Sequence, residues 1–254
     1  MMNHKFVPWV LGGLVLLVAP LLIYPVLLMK ILCFALFACA FNLLLGFAGL
    51  LSFGHAAFFG GAAFLCGHAL KVWELSPLFG ILVATSGAAG LGLVMGLLAI
   101  RRQGIYFAMV TLALAQMLFF FFLQSPWTGG EEGLQGVPRG HMLGVDLAND
   151  LSMYYVVAVI FALAFALVYR TVNSPYGQVL KAIRENEPRA VSLGYDVNRY
   201  KLLAFVLSAA LAGLAGAVKT LVFKFATLTD AHWHTSGEVI LMTLVGGMGT
   251  LLGP

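Results

Sequence analysis

Apolar runs of about 20 residues, the length that crosses roughly 30 Å of hydrocarbon as a helix, follow one another along almost the whole sequence. Only a helix or a closed barrel satisfies every backbone polar group inside a bilayer. About eight spans are expected, placed approximately at 8–29, 31–52, 54–71, 77–100, 104–124, 152–170, 202–223 and 237–254. The runs therefore predict an all-α, polytopic transmembrane helical bundle, with residues 1–254 forming one domain.

The composition excludes a soluble domain. Charged residues make up 9% of the chain and hydrophobic residues 61%, whereas a soluble domain carries about 25% charged residues. The net charge of +4 comes from separate short loops, and no basic stripe with interleaved aromatics points to nucleic acid. The cysteines, Cys33, Cys39 and Cys66, lie inside apolar runs without metal or disulfide spacing. They are interpreted as small buried hydrophobes.

The distribution of basic residues predicts the orientation, because Lys and Arg of short loops stay on the cytoplasmic side. The segment 170–201 holds six of the 14 basic residues. The segment 125–151 holds four acids and one arginine, as expected for the outer side. The N-terminus with Lys5 is then cytoplasmic, in a multi-pass membrane protein. Lys30 and Lys71 then fall on the outer side of the membrane. This conflicts with the same rule, but the larger basic cluster at 170–201 outweighs it.

The stretch from Phe41 to Phe64 contains several glycines that interrupt an apolar run, which indicates a broken helix. Irregular backbone at membrane depth is tolerated where protein or a water-filled cavity surrounds it. The candidates for lining a translocation path are therefore Asn42, Ser52 and His55. Asn42 is interpreted as lying mid-membrane. The alternative is a tight turn capped by Ser52 and His55.

A second polar pair, Thr111 and Gln116, lies in the apolar run from Gly104 to Met117. These side chains are further path candidates, and the alternative is a hydrogen bond between helices.

Two segments on the predicted outer side are not assigned to the path. The acids of the segment 128–134 either meet a partner or are solvated, and the histidines of the segment 232–234 are solvated beside an interfacial Trp rather than bound to a metal.

The predicted cytoplasmic segment 174–205 has the pattern of two short surface helices. Ser174 can cap a helix that begins at Pro175, and Pro188 can open a second turn that ends at Gly194. An apolar stripe and mixed charges favour docking on another protein over resting on lipid. The apolar stripe is expected to supply buried contact with that partner, and the arginines are expected to orient the segment on it. The residues assigned to this surface are Val179, Leu180, Ile183, Arg184, Glu187, Arg189 and Gly194.

Taken together, these segments and the terminal GGMGTLLGP resemble the LivM-type permeases of branched-chain amino acid ABC importers. The most specific part is IRENEPRA, then LGYD, then Lys201 before AFVLSAALAGLAGA. The resemblance implies a type II importer fold in the bacterial inner membrane, with residues 171–201 as the coupling loop that contacts the ATPase. It also implies a homologous second permease, two cytoplasmic ATP-binding subunits and a periplasmic solute-binding protein. Because relatives continue beyond residue 254, C-terminal spans are expected to be missing.

The expected function is ATP-driven import of branched-chain amino acids or a related small polar solute, such as urea or an amide. The sequence has no GxxxxGK[ST] motif, so ATP is expected to bind to partner subunits. No cofactor, metal or enzymatic activity is expected of this chain. The alternatives are an ion-coupled secondary transporter and a non-transporting membrane scaffold. The interpretation that no ionisable residue lies mid-membrane argues against ion coupling.

Overall fold

The computed structural model describes residues 7–142, 144–251 and 253. Within them the chain forms ten α-helices and four two-residue strands, which confirms the predicted all-α bundle. The helices are α1 (Val7–Leu22), α2 (Pro25–Asn42), α3 (His55–Lys71), α4 (Pro77–Ala99), α5 (Ile105–Gln124), α6 (Asp150–Asn173), α7 (Pro175–Glu185), α8 (Glu187–Ser192), α9 (Val197–Phe223) and α10 (Trp233–Gly247). The strands are β1 (Leu134–Gln135), β2 (His141–Met142), β3 (Val145–Asp146) and β4 (Phe225–Ala226).

Five of the described helices are long and apolar enough to cross a membrane alone, namely α4, α5, α6, α9 and α2 with its continuation to Phe47. The other apolar helices, α1, α3 and α10, have 16, 17 and 15 residues. α3 is buried along nearly its whole length. Protein rather than lipid therefore surrounds it, and the length needed to cross lipid does not apply to it.

The first helix boundary differs from the prediction. The sequence suggests a break at Lys30, whereas α1 ends at Leu22 and α2 begins at Pro25. Proline fits the first position of a helix because its missing N–H needs no partner there, and one lysine does not interrupt a helix. Lys30 accordingly lies exposed within α2. Lys5, whose cytoplasmic placement the sequence predicts, lies outside the described residues.

The bundle has two chemically different ends. At one end, called here the basic end, the α4–α5 turn at 100–104 meets the segment 174–201 and the segment 247–251. At the other, the acidic end, the segments 72–76, 125–150 and 224–227 come together. There β1 pairs antiparallel with β4, and β2 with β3.

Small residues let α9 approach α3 and α4 closely. A Cβ added at Gly92 of α4 would lie 2.5 Å from the Cβ of Ala209, and one added at Gly213 would overlap the Cβ of Ala88. Gly216 leaves no space for a side chain, because Phe59 of α3 presents its carbonyl oxygen there. These small residues therefore lie at the centre of the fold. Inside a membrane the hydrophobic effect does not drive helices together, and van der Waals contact between closely packed backbones holds them instead.

Candidate functional site

The glycine-rich stretch after α2 forms a broken helix, as the sequence predicts. α2 passes into one π turn, Leu43–Phe47, and the segment 48–54 is not helical before α3 begins at His55. Gly49 takes a positive φ of 71°, a conformation open to glycine at little cost. The break faces the basic end, where α7 packs on the π turn through the cation–π contact of Lys181 with Phe47.

Asn42 ties the end of α2 to the C-terminal segment. Its Nδ2 donates to the Thr250 carbonyl oxygen at 2.6 Å, and its Oδ1 accepts from the Gly249 N–H at 3.0 Å. Close by, Arg184 Nη1 donates to the carbonyl oxygen of Gly46. Asn42 therefore lies near the basic end rather than mid-membrane, in a junction of α2, α7 and the segment after α10.

Ser52 and Thr111 hold the break against α5. Ser52 Oγ accepts from the Gly54 N–H at 3.1 Å, which forms a tight turn. Thr111 Oγ1 accepts from the Phe53 N–H at 3.2 Å and donates to the Ala108 carbonyl oxygen at 2.9 Å. Both hydroxyls are fully buried, so each stabilises the broken backbone from within the chain.

His55 lies in an aromatic enclosure at the start of α3. Its Nε2 is 2.7 Å from Ser208 Oγ, and that hydroxyl donates to the Ala40 carbonyl oxygen at 2.5 Å. Since the serine proton is already committed, Nε2 of His55 must be the donor, and Nδ1 is left without a hydrogen-bond partner. The rings of Phe41, Phe58 and Phe205 surround the imidazole edge-on.

Gln116 differs from the other path candidates. It is half-buried on α5, and its amide has no hydrogen-bond partner within the described part of the chain. The structure brings Ser52 and Thr111 together at the break and places Asn42 in the junction. Gln116 is the candidate with an accessible polar group.

The apolar stripe of the coupling segment faces inward, which corrects the prediction that it docks on a partner. Leu180 joins the main core, and Ile183 packs with Ala190 and Val197, with relative exposures of 1% for Leu180 and 2% for Ile183. Val179 is half-buried beside that cluster. The reason is that the bundle itself offers α7 an apolar groove, and a mostly apolar chain satisfies the stripe internally. Arg184 also points inward, to Gly46, rather than orienting a partner.

A polar clamp fixes the same segment at its other side. Glu187 accepts from Lys201 Nζ at 2.7 Å and from Gln103 Nε2 at 3.0 Å. It thereby joins α8 to α9 and to the α4–α5 turn. Tyr176 of α7 donates its hydroxyl to the Tyr200 carbonyl oxygen at 2.9 Å, and burial, then the neighbouring Tyr200, raise the pKa of Tyr176. These bonds make the segment a rigid attachment on the bundle.

The face of this segment that points away from the bundle exposes apolar and basic side chains. Leu193 is 68% exposed, Val191 57% and Tyr195 41%, and Arg189 is exposed beside them. Gly194 ends the turn with φ 87°. Sequence reasoning missed this surface because Val191, Leu193 and Tyr195 follow the helical stripe and do not continue its spacing.

Ionisable residues inside the predicted spans were also missed. Lys219 lies four residues before the end of α9, so it is Glu238 that bears on the interpretation that no ionisable residue lies mid-membrane. Lys219 of α9 lies 2.6 Å from Asp230 Oδ1 and 2.5 Å from Oδ2, with side-chain exposures of 8% and 11%. Lys219 Nζ also lies over the rings of Phe223 and Phe225. Glu238 stands in α10. The signal was present in the sequence, because Lys219 falls in the predicted span 202–223 and Glu238 in the span 237–254.

Comparison with known proteins gives the family. Residues 24–254 match the model of the branched-chain amino acid transport system / permease component family. The chain belongs to this family and is a multi-pass inner-membrane protein. No solved structure matches it.

The curated relatives match parts of their own length. The high-affinity branched-chain amino acid transport system permease protein LivM of Escherichia coli (strain K12) is 26% identical over 207 residues, covering 72% of this chain and 48% of that protein. The probable branched-chain amino acid transport permease protein LivM of Methanocaldococcus jannaschii is 28% identical over 101 residues, or 39% of this chain and 29% of that protein. The ribose import permease protein RbsC of Bacillus subtilis (strain 168) is 28% identical over 131 residues, or 49% and 38%. The chain thus spans about half the length of the E. coli relative.

Proposed function

We propose that this chain is the permease part of an ABC importer that moves branched-chain amino acids or a related small polar solute. The match of residues 24–254 to a permease family carries the proposal. A homologous second permease would complete the path, and a periplasmic binding protein would deliver the solute. Two ATP-binding subunits would bind and hydrolyse ATP, so the chain itself would need no cofactor and perform no catalysis.

The α7–α8 segment supports this role because it is fixed on one side and open on the other. The Glu187–Lys201 pair and the bond of Arg184 to Gly46 attach it to two parts of the bundle. Its apolar outer face, around Leu193, is free to pack on an ATP-binding subunit. A push on that face would be transmitted to α9 and to the broken end of α2.

Uptake in membranes that contain the complete system tests the proposal directly. ATP-dependent accumulation of labelled leucine, in excess over ribose, is the expected result. Ribose is the comparison solute because it stands in the name of the Bacillus subtilis relative. Accumulation of neither leucine nor a related small polar solute such as urea, or accumulation driven by an ion gradient without ATP, would overturn the proposed function.

The orientation of the proposed importer places the basic end in the cytoplasm. A cysteine introduced at Glu132 is then expected to react with an impermeant maleimide added outside intact cells, and one introduced at Arg189 only after permeabilisation. Both positions are exposed, and the native cysteines are buried, so background labelling should be low. The reverse labelling pattern would exclude the α7–α8 segment as the ATPase contact.

The docking face is tested by Leu193→Ala, which is expected to weaken binding of the ATP-binding subunits. Truncating an apolar side chain at the centre of an interface costs about 2 kcal/mol, or about thirtyfold in Kd. Leu180→Ala is the comparison, because that leucine is buried within the chain. It should destabilise the fold by about 2–5 kcal/mol, while the folded fraction keeps its affinity. Pull-down of detergent-solubilised complexes measures both, and unchanged affinity of the Leu193 variant would contradict the assignment.

A further inference from the structure

A polar patch lies exposed on the side of α10. His234 Nδ1 and Glu238 Oε1 are 3.7 Å apart, one helical turn from each other, and their side chains are 71% and 51% exposed. The same helix turns Leu241 and Val245 outward on the following turns. In this chain alone the pair therefore faces outward rather than into the core.

The position of this patch along the bundle follows from neighbouring contacts. Ser236, between the two residues, accepts the Ala56 N–H at 2.9 Å, and the adjacent His55 bonds Ser208 of α9. Ser208 lies 11 residues after the start of α9 and 15 before its end, which is about 16 Å and about 22 Å along the helix axis. Glu238 consequently lies at mid-depth of the membrane-spanning bundle.

The start of α10 lies nearer the acidic end than Glu238 does, since Asp230 just before it pairs with Lys219, four residues before the end of α9. The segment between α9 and α10 turns back into the bundle, where a Cβ added at Gly60 of α3 would lie 2.5 Å from the Ala231 nitrogen. α10 then begins beside α5, with the ring of His232 5.1 Å from that of Phe119. Gln116, whose amide has no partner among the described residues, stands one turn from Phe119 on α5.

Lipid is an unsuitable neighbour for this surface. An ionisable side chain at mid-depth faces the bundle interior or a water-filled cavity in nearly all membrane proteins, since hydrocarbon cannot solvate it. By contrast, the exposed face of α4 is apolar, as Leu82, Val94 and Leu97 illustrate. Most exposed side chains of α5 and α10 are apolar too, such as Met117 and Val245. The exposed pair of His234 and Glu238 is the part of this side that is suited to water and a polar solute.

We propose that the face formed by Gln116, His234 and Glu238 lines the solute path, and that the Glu238 carboxylate binds the ammonium group of an amino-acid solute during passage. This inference rests on the proposed function and gives that function a site. The fully buried candidates Ser52, His55 and Thr111 then stabilise the broken helix, and the solute passes the α5–α10 face. A charged carboxylate is suited to an ammonium group and gives no comparable advantage with a neutral sugar or urea.

Glu238→Gln is expected to lower the maximal rate of leucine uptake about tenfold in the complete system, because it removes one charge-assisted contact. The half-saturating leucine concentration should change little, since the external binding protein would capture the solute. Glu238→Asp keeps the charge and should restore a large part of the rate. Val94→Gln, on the lipid-facing side of α4, is the control for a general effect of an added amide.

Cysteine accessibility gives the independent readout. In the assembled complex, Glu238→Cys should react with a small charged methanethiosulfonate reagent, leucine with the binding protein should slow that reaction, and Val94→Cys should not react. If leucine uptake is normal in both Glu238 variants and Glu238→Cys is unreactive, the inference is wrong while the proposed function stands. If the unmodified system imports urea but not leucine, the inference is also wrong, and if it imports neither, the proposed function itself has failed.

Discussion

Gly216→Ala is expected to remove most of the folded protein from the membrane. The added methyl group would overlap the carbonyl oxygen of Phe59, so the backbones of α3 and α9 must separate. Overpacking a core costs about 1–3 kcal/mol, and a collision with backbone rather than with a flexible side chain belongs at the upper end. The measurement is thermal stability in detergent, followed by the fluorescence of a C-terminal fusion during size-exclusion chromatography.

Gly90→Ala is the matched control. Gly90 lies within α4, is exposed, and has no atom within 4 Å of the added Cβ. Alanine is the better helix former by about 1 kcal/mol, so this variant should be at least as stable as the parent. Equal stability of the two variants would show that α3 and α9 do not approach each other as closely as described.

Lys219→Met is expected to destabilise the protein by about 3–5 kcal/mol, because it leaves the Asp230 carboxylate buried without its counter-charge. Asp230 also accepts from the N–H and the hydroxyl of Thr227. The loss should therefore loosen the turn Leu228–Ala231 that leads into α10. Protease resistance and thermal stability of the purified protein measure the effect.

The double variant Lys219→Met with Asp230→Asn should recover much of this loss. Asparagine removes the unpaired charge and keeps an oxygen for the bonds to Thr227. Arg199→Met supplies the surface comparison, since Arg199 and Asp196 form an exposed pair and such pairs contribute about 0–1 kcal/mol. If the double variant is no more stable than Lys219→Met, the loss does not come from an unpaired buried charge on Asp230. The attraction within the ion pair would then account for the stability.

The architecture was predictable because length and hydropathy limit a membrane chain to few solutions. The runs now forming α4, α5 and α9 were placed within a few residues, and Ser174 with Pro175 correctly predicted the start of α7. The break between α2 and α3 was also readable, because its glycines stand in an otherwise apolar run. The boundary near Lys30 was not readable, because a single lysine in an apolar run suggests a helix end even where Pro25 is the residue that starts the helix.

The roles of individual polar residues were harder to read. Asn42 and Thr111 are polar residues in apolar runs, but their partners, Thr250 and the Phe53 N–H, are distant in the sequence or belong to the backbone. Periodicity alone cannot tell whether an apolar stripe faces its own bundle or another protein, as Leu180 and Leu193 show. Lys219 and Glu238 could have been found from the sequence alone, by checking each predicted span for ionisable residues.

The bond between Asn42 and the segment after α10 also constrains biosynthesis. The two sides of this contact lie 208 residues apart for Thr250 and 207 for Gly249. When α2 leaves the ribosome and enters the bilayer, the backbone that its amide will bind has not yet been translated. Asn42 must therefore rely on temporary partners, such as water, lipid headgroups or the insertion machinery, until α10 arrives, and the junction at the basic end closes only after α10 has been made.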